Sequence, residues 1–119
     1  MNASGFAAQP LPPWRRAVLK VGSSLLAGED GLDPRHAGAL ARFIDHARSR
    51  QREVVLVSSG AVAAGRHRVG AGGDGLVLRQ ALASLGQASL VTFWQQLVER
   101  PGAQVLLTHD DLRNRRRYL

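Results

Sequence analysis

Three short apolar runs divide the chain. They are Ala17-Val18-Leu19-Lys20-Val21, closed by Gly22; Val54-Val55-Leu56-Val57, closed by Ser58-Ser59-Gly60; and Val105-Leu106-Leu107, closed by Thr108. Apolar runs this short, without strict alternation, predict strands covered on both faces, as in parallel sheets. Longer segments between them carry helical spacing. Asp33-Pro34 reads as an N-cap followed by proline at the first helical position, and Ala37, Leu40, Ala41, Ile44 and Ala47 then recur on one face. A second helix is predicted from Ser59 or Gly60 through Ala61, Val62 and Ala64 to about Val69. A third runs from Leu76 to about Glu99 on the stripe Leu78, Leu82, Leu85, Leu90, Trp94 and Leu97; Gly86 interrupts it and Pro101-Gly102 stops it. Thr108, with Asp111 three residues on, has the form of a capping box opening a last helix.

The order strand, helix, strand, two helices, strand, helix predicts an α/β fold: a three-layer αβα sandwich with a mostly parallel sheet and right-handed crossovers. Residues 1–14 hold three prolines and little periodicity, and are expected to be a disordered or loosely attached tail. Residues 15–119 then form the domain portion. The sequence ends at Tyr118-Leu119 inside an apparent helix, so an incomplete domain with an exposed sheet edge is expected.

Composition narrows the class. A chain of 119 residues has room for one domain or part of one. Hydrophobic residues at 45% and charged residues at 21% are ordinary globular usage. No apolar run approaches the roughly 18 residues that cross a bilayer. With no cysteine, a disulfide scaffold, thiolate catalysis and cysteine-ligated metals are excluded. The opening MNASGFAAQPLPP lacks the basic start and apolar stretch of a signal peptide, so a cytoplasmic protein is expected.

The net charge of +7 invites a nucleic-acid reading, but its distribution weakens it. Arg113, Arg115, Arg116 and Arg117 lie together near the end, and removing those four from +7 leaves +3. All the other cations but one are arginines spread along the chain; the single lysine is Lys20. Trp14 and Trp94 read as packing anchors, and aromatic residues at 5% offer no stacking platform for single strands.

Ligands of open parallel sheets bind beyond the carboxyl ends of the strands. Two strand ends here carry chemistry suited to an anion. In Lys20-Val21-Gly22-Ser23-Ser24 a lysine is followed by an approachable glycine backbone and hydroxyl donors. The same pattern fits a lysine that only carries its ammonium past the sheet rim. In Ser58-Ser59-Gly60-Ala61 a strand runs into a helix, whose free amides and neighbouring hydroxyls form an anion site. Simple serine capping accounts equally for that segment. Two such ends on neighbouring strands would face one cleft.

Other motifs lead elsewhere. Gly70-Ala71-Gly72-Gly73-Asp74-Gly75 satisfies G-x-G-x-x-G, but follows a helical pattern where a dinucleotide fingerprint needs a strand, so a flexible loop is predicted. No Walker-type phosphate loop occurs. His36, His46, His67 and His109 lack metal-ligand spacing, and no protein metal site is predicted. Asp110 and Asp111 read as helix-start residues complementing the dipole.

Four segments, VLKVGSSLL, VVLVSSGAVAAGR, RQALASLGQASLVTFWQQL and VLLTHDDLRNRRRYL, follow one another in the order and spacing seen at the start of the amino acid kinase family, in its glutamate-phosphorylating branch. The chain resembles that family from about Val18 to Leu119. The resemblance implies ATP-dependent phosphorylation of the side-chain carboxylate of L-glutamate to γ-glutamyl phosphate, the first step of proline biosynthesis, with Mg²⁺, in the cytoplasm. It also implies proline as feedback inhibitor, homo-oligomers when complete, and neither a membrane nor a specific nucleic-acid partner. By position Lys20 matches the lysine on the ATP phosphates, with Gly22 and Ser23 beside it. Ser59 matches a glutamate-binding serine, and Gly60 and Ala61 border the same pocket. The family's kinase domain is about twice this length on ordinary domain sizes. One wall of the active site, and an inactive isolated chain, are therefore expected. Two other classes remain: a small basic nucleic-acid-binding module, and a non-catalytic α/β domain that binds an amino acid for regulation.

Overall fold

A computed structural model describes residues 10–70, 72–107, 109–114 and 116. Strand β1 (Arg16–Val21) leads through Gly22 into a single helical turn, α1 (Ser23–Leu26). A small antiparallel hairpin follows, β2 (Ala27–Gly28) paired with β3 (Gly31–Leu32). Helix α2 (Pro34–Ser49) starts as its sequence predicts, with the Asp33 side chain accepting from the Arg35 N–H at 2.8 Å and Pro34 in the first turn. Strand β4 (Glu53–Ser58), α3 (Ala61–Val69), α4 (Leu76–Leu97) and the short α5 (His109–Arg113) complete the order.

β1 and β4 pair in parallel, residue by residue from Arg16 opposite Glu53 to Val21 opposite Ser58. A parallel neighbour requires a crossover, which α2 supplies. Alternate residues of each strand point to opposite sides. Ala17, Leu19, Val21, Val54 and Leu56 turn toward the helices. Val21, Leu26, Ala37, Leu90 and Trp94 form the buried centre, with Leu19, Leu32, Leu40, Leu56 and Phe93 packed around it. The other side carries Val18, Val55 and Val57 at 68%, 46% and 49% exposure.

The α/β class with a parallel sheet therefore holds, and one difference qualifies it. The apolar runs predict strands covered on both faces; among the described residues helices cover one face, which leaves the sandwich incomplete, as expected. The third apolar run, Val105-Leu106-Leu107, is not a strand: it lies exposed and unpaired. A run of three residues forms few ladder bonds, and beside a sheet bare on one face it would bury only half its side chains. Its apolar gain is too small to offset the ordering entropy.

Helix α4 stops slightly before the expected end. The Asp45 carboxylate of α2 accepts the Glu99 N–H at 3.1 Å, while the Arg48 guanidinium donates to the Arg100 carbonyl at 2.9 Å. These bonds draw the chain out of the helix and over α2. Trp14 lies against Phe43, ring centroids 6.1 Å apart, with the Arg52 guanidinium 4.9 Å from its ring centre. Most of the expected tail, residues 1–9, lies outside the described residues, as does Thr108 of the proposed capping box; α5 itself has Asp110 and Asp111 in its first turn.

The pair α3 and α4 cross with almost no space between backbones. A Cβ at Gly65 would overlap the Leu82 carbonyl, and one at Gly86 would overlap the Ala61 carbonyl and the Gly65 nitrogen. Gly86, which breaks the apolar stripe of α4, is thus the place where α3 enters.

Candidate functional site

The site begins at the register of the sheet. Lys20 stands opposite Val57 and Val21 opposite Ser58, so the carboxyl ends of β1 and β4 finish side by side. The ladder continues one step past the strand, because the Ser59 N–H donates to the Val21 carbonyl at 2.9 Å. Ser58 turns inward and Ser59 is exposed. Alternation thus puts Ser59 on the bare side, with Val57 and Lys20. Lys20 is also exposed, and no salt bridge involves it among the described residues.

From Ser59 the chain must turn sharply from a strand into a helix. Gly60 makes that turn at φ +119°, a left-handed conformation that L side chains rarely adopt. It is buried against Leu90, Leu26 and Leu32. Gly60 is the N-cap of α3, and no side chain caps the helix. The serine-capping alternative is therefore not what is formed. The Ser58 hydroxyl donates to the Ser59 carbonyl at 2.9 Å and accepts the Trp94 Nε1–H at 2.9 Å. The first-turn amides of α3, beginning with Ala61, thus have no side-chain cap at the positive end of the helix dipole.

The β1 end is less regular. Gly22 precedes α1 in an extended conformation with no side-chain cap, and Ser23 and Ser24 are exposed. The single turn of α1 buries Leu26 and is too short to build a helix dipole. Any contribution here comes from the Gly22 backbone and the Ser23 hydroxyl. Lys20, Ser59, Gly60 and Ala61 are brought together at adjoining strand ends, with Gly22 and Ser23 continuing from the first.

This arrangement is an open shelf. A cleft of about 380 Å³ lies elsewhere, between the hairpin, α3 and α4, lined by Asp30, His67, Arg68, Ser89, Thr92 and Gln96 among others. A second, of about 370 Å³, surrounds Trp14 and Phe43. None of the six predicted site residues lines either one. The glycine-rich segment 70–75 follows α3 and not a strand, with Gly70 in a left-handed C-cap at φ +63°. Among the described residues no group of three or more histidines and carboxylates gathers as metal ligands. The one displaced ionisation among them is remote: a hydrogen bond and the charge of Arg16 hold the exposed Glu53 carboxyl below its usual range.

Sequence reasoning missed the Trp94–Ser58 link and the Gly65–Gly86 crossing. The indole carries one polar atom on an apolar helix stripe, and Gly86 lies in the middle of a helix; both were visible as exceptions, though their partners were not.

The structure thus forms a parallel α/β unit whose adjoining strand ends carry a lysine and an uncapped helix start. Residues 15–118 match the family model of the Amino acid kinase family, and the chain belongs to that family. It is similar to the glutamate 5-kinases of Xylella fastidiosa strains M12 and M23, each 61% identical over 98% of this chain and 31% of theirs. The glutamate 5-kinase of Xanthomonas campestris pv. campestris is 60% identical over 86% of this chain and 29% of its own length. The chain spans about a third of the length of these curated relatives. No helix among the described residues is long and apolar enough to cross a membrane.

Proposed function

We propose that this chain forms the glutamate- and phosphate-facing wall of an ATP-dependent kinase that phosphorylates the side-chain carboxylate of L-glutamate. The observation that carries the reading is the register placing Lys20 beside the strand that ends in Ser59, Gly60 and the uncapped start of α3. The similarity to enzymes named glutamate 5-kinase supplies the substrate.

In the reaction a glutamate carboxylate oxygen bonds to the γ-phosphorus of ATP as the bond to the β-phosphate oxygen breaks, and ADP departs. The carboxylate is already ionised at neutral pH, so no general base is required. The difficulty is bringing two anions together and stabilising the charge on the phosphoryl group in transit. Lys20 meets the ATP phosphates as a point charge, with the Gly22 amide and Ser23 hydroxyl beside it. Ser59, Gly60 and Ala61 hold glutamate through a hydroxyl and backbone amides. Mg²⁺ arrives with the nucleotide phosphates, and the described residues offer no ligand cluster of their own for it. The remaining glutamate contacts and the nucleotide lobe come from chain beyond these residues. Inhibition by proline, self-association and a cytoplasmic setting belong to the same proposal.

The experiment joins this chain to the last two-thirds of the Xylella fastidiosa relative and measures ATP-dependent γ-glutamyl hydroxamate formation. The chimera turns over and the isolated chain does not. Ser59→Ala in the chimera raises the glutamate KM and leaves that for ATP near its starting value. A change confined to ATP would reverse the pocket assignment, and an inactive, folded chimera would refute the reading.

A further inference from the structure

Trp94 is nearly buried on α4, at 6% exposure, yet its one polar atom is spent on a strand it does not belong to. The indole N–H can only donate, which fixes the direction of the chain of bonds. Trp94 Nε1 donates to Ser58 Oγ at 2.9 Å, and Ser58 Oγ donates its own proton to the Ser59 carbonyl at 2.9 Å. That carbonyl belongs to the peptide joining Ser59 to Gly60. In a trans peptide the carbonyl and the following N–H point in opposite directions. Holding the Ser59 oxygen inward therefore aims the Gly60 N–H outward, toward the shelf. The left-handed Gly60 makes this peptide the pivot between β4 and α3, and the preceding peptide is fixed by the Ser59 N–H on the Val21 carbonyl.

We propose that Trp94 is a positioning residue: acting through Ser58, it orients the Ser59–Gly60 peptide so that the Gly60 amide serves the glutamate-binding shelf. The inference rests on the glutamate site described above, but its first readout does not depend on the ligand. A phenylalanine at the same place fills most of the space without donating. An alanine at Ser58 removes the relay and leaves Trp94 packed.

The test uses the ¹⁵N-labelled 119-residue chain with Trp94→Phe, Ser58→Ala, the double variant and Ser58→Thr, which keeps a hydroxyl. The first measurement is the Gly60 amide resonance and its solvent exchange, and the second is L-glutamate titration followed at Ser59, Gly60 and Ala61. Trp94→Phe and Ser58→Ala each displace the Gly60 resonance and weaken glutamate binding about tenfold, the scale of one lost hydrogen bond. The double variant is no worse than either single one, and Ser58→Thr keeps the starting behaviour. An unchanged Gly60 amide in Trp94→Phe, additive losses, or failure of threonine to preserve the site would each overturn the proposal. If Trp94→Phe loses its dispersed spectrum, Ser58→Ala alone decides through the same Gly60 amide. Should the unsubstituted chain show no response to glutamate, the same titration is made in the chimera, where an absent response refutes the substrate reading, and the Gly60 comparison still decides for or against the relay.

Discussion

The two faces of the β1–β4 sheet are built from alternate residues of the same strands and end in opposite conditions. On one, Leu19, Val21 and Leu56 lie under α2 and α4, and even the polar Ser58 is engaged by Trp94. On the other, Val18, Val55 and Val57 face outward around Lys20. Valines are no more polar on the second face than on the first, so the difference is one of missing cover. Among the described residues helices cover one face and leave the other as an apolar surface around Lys20.

The comparison can be broken most strongly on the covered side. Gly86→Val places a side chain inside the α3 backbone, where no rotamer relieves the overlap. We expect a loss of about 3 kcal/mol or more, the upper range for overpacking, read as collapse of the chemical denaturation midpoint. An ordinary midpoint would mean the helices do not cross as closely as described. On the bare side the expectation inverts. Val55→Ser should change the stability of the isolated chain by no more than about 0.5 kcal/mol, as for surface positions. In the chimera with the relative's remaining two-thirds the same substitution should cost about 1–3 kcal/mol, because the valine is then buried. Equal costs in both settings would show that nothing covers this face.

The smallest effect belongs to the exposed pair of Arg16 and Glu53 at the start of the two strands. Its folded-state carboxyl titrates below the usual range, so its contribution is present above the unfolded pKa and fades as pH falls through the folded one. Both side chains are solvated, and the effect on the thermal midpoint should be slight and vanish in high salt. A large acid-dependent shift traced to Glu53→Gln would place this pair in a less solvated setting than its exposure gives.

The same contrast explains what could be read in advance. The helix starting at Asp33-Pro34 and the strands at residues 17–21 and 54–57 were legible because local signals suffice for them: a cap, a proline, an apolar period. Lys20 and the Ser59–Gly60–Ala61 turn stood out as strand ends with donors for an anion, although a lysine passing the sheet rim and plain serine capping fitted the same residues. The one-sided sheet was not, because apolar runs report what a strand could bury and say nothing of whether a covering layer is present. The Val105–Leu107 run failed as a strand for that reason. Nor could the sequence reveal that Gly86 meets Ala61 and Gly65, or that the Trp94 indole reaches Ser58. Those contacts join residues far apart in the chain and depend on how α4 crosses α3.

The central claim is that one strand end contributes a charge for phosphate while its neighbour contributes amides for glutamate. It is tested most directly by the kinetics of Lys20→Ala in the active chimera. Turnover should fall about a hundred- to a thousandfold, the cost of losing one electrostatic donor to a transferring group, with the glutamate KM nearly unchanged. Undiminished turnover, or a loss confined to glutamate binding, would contradict the account.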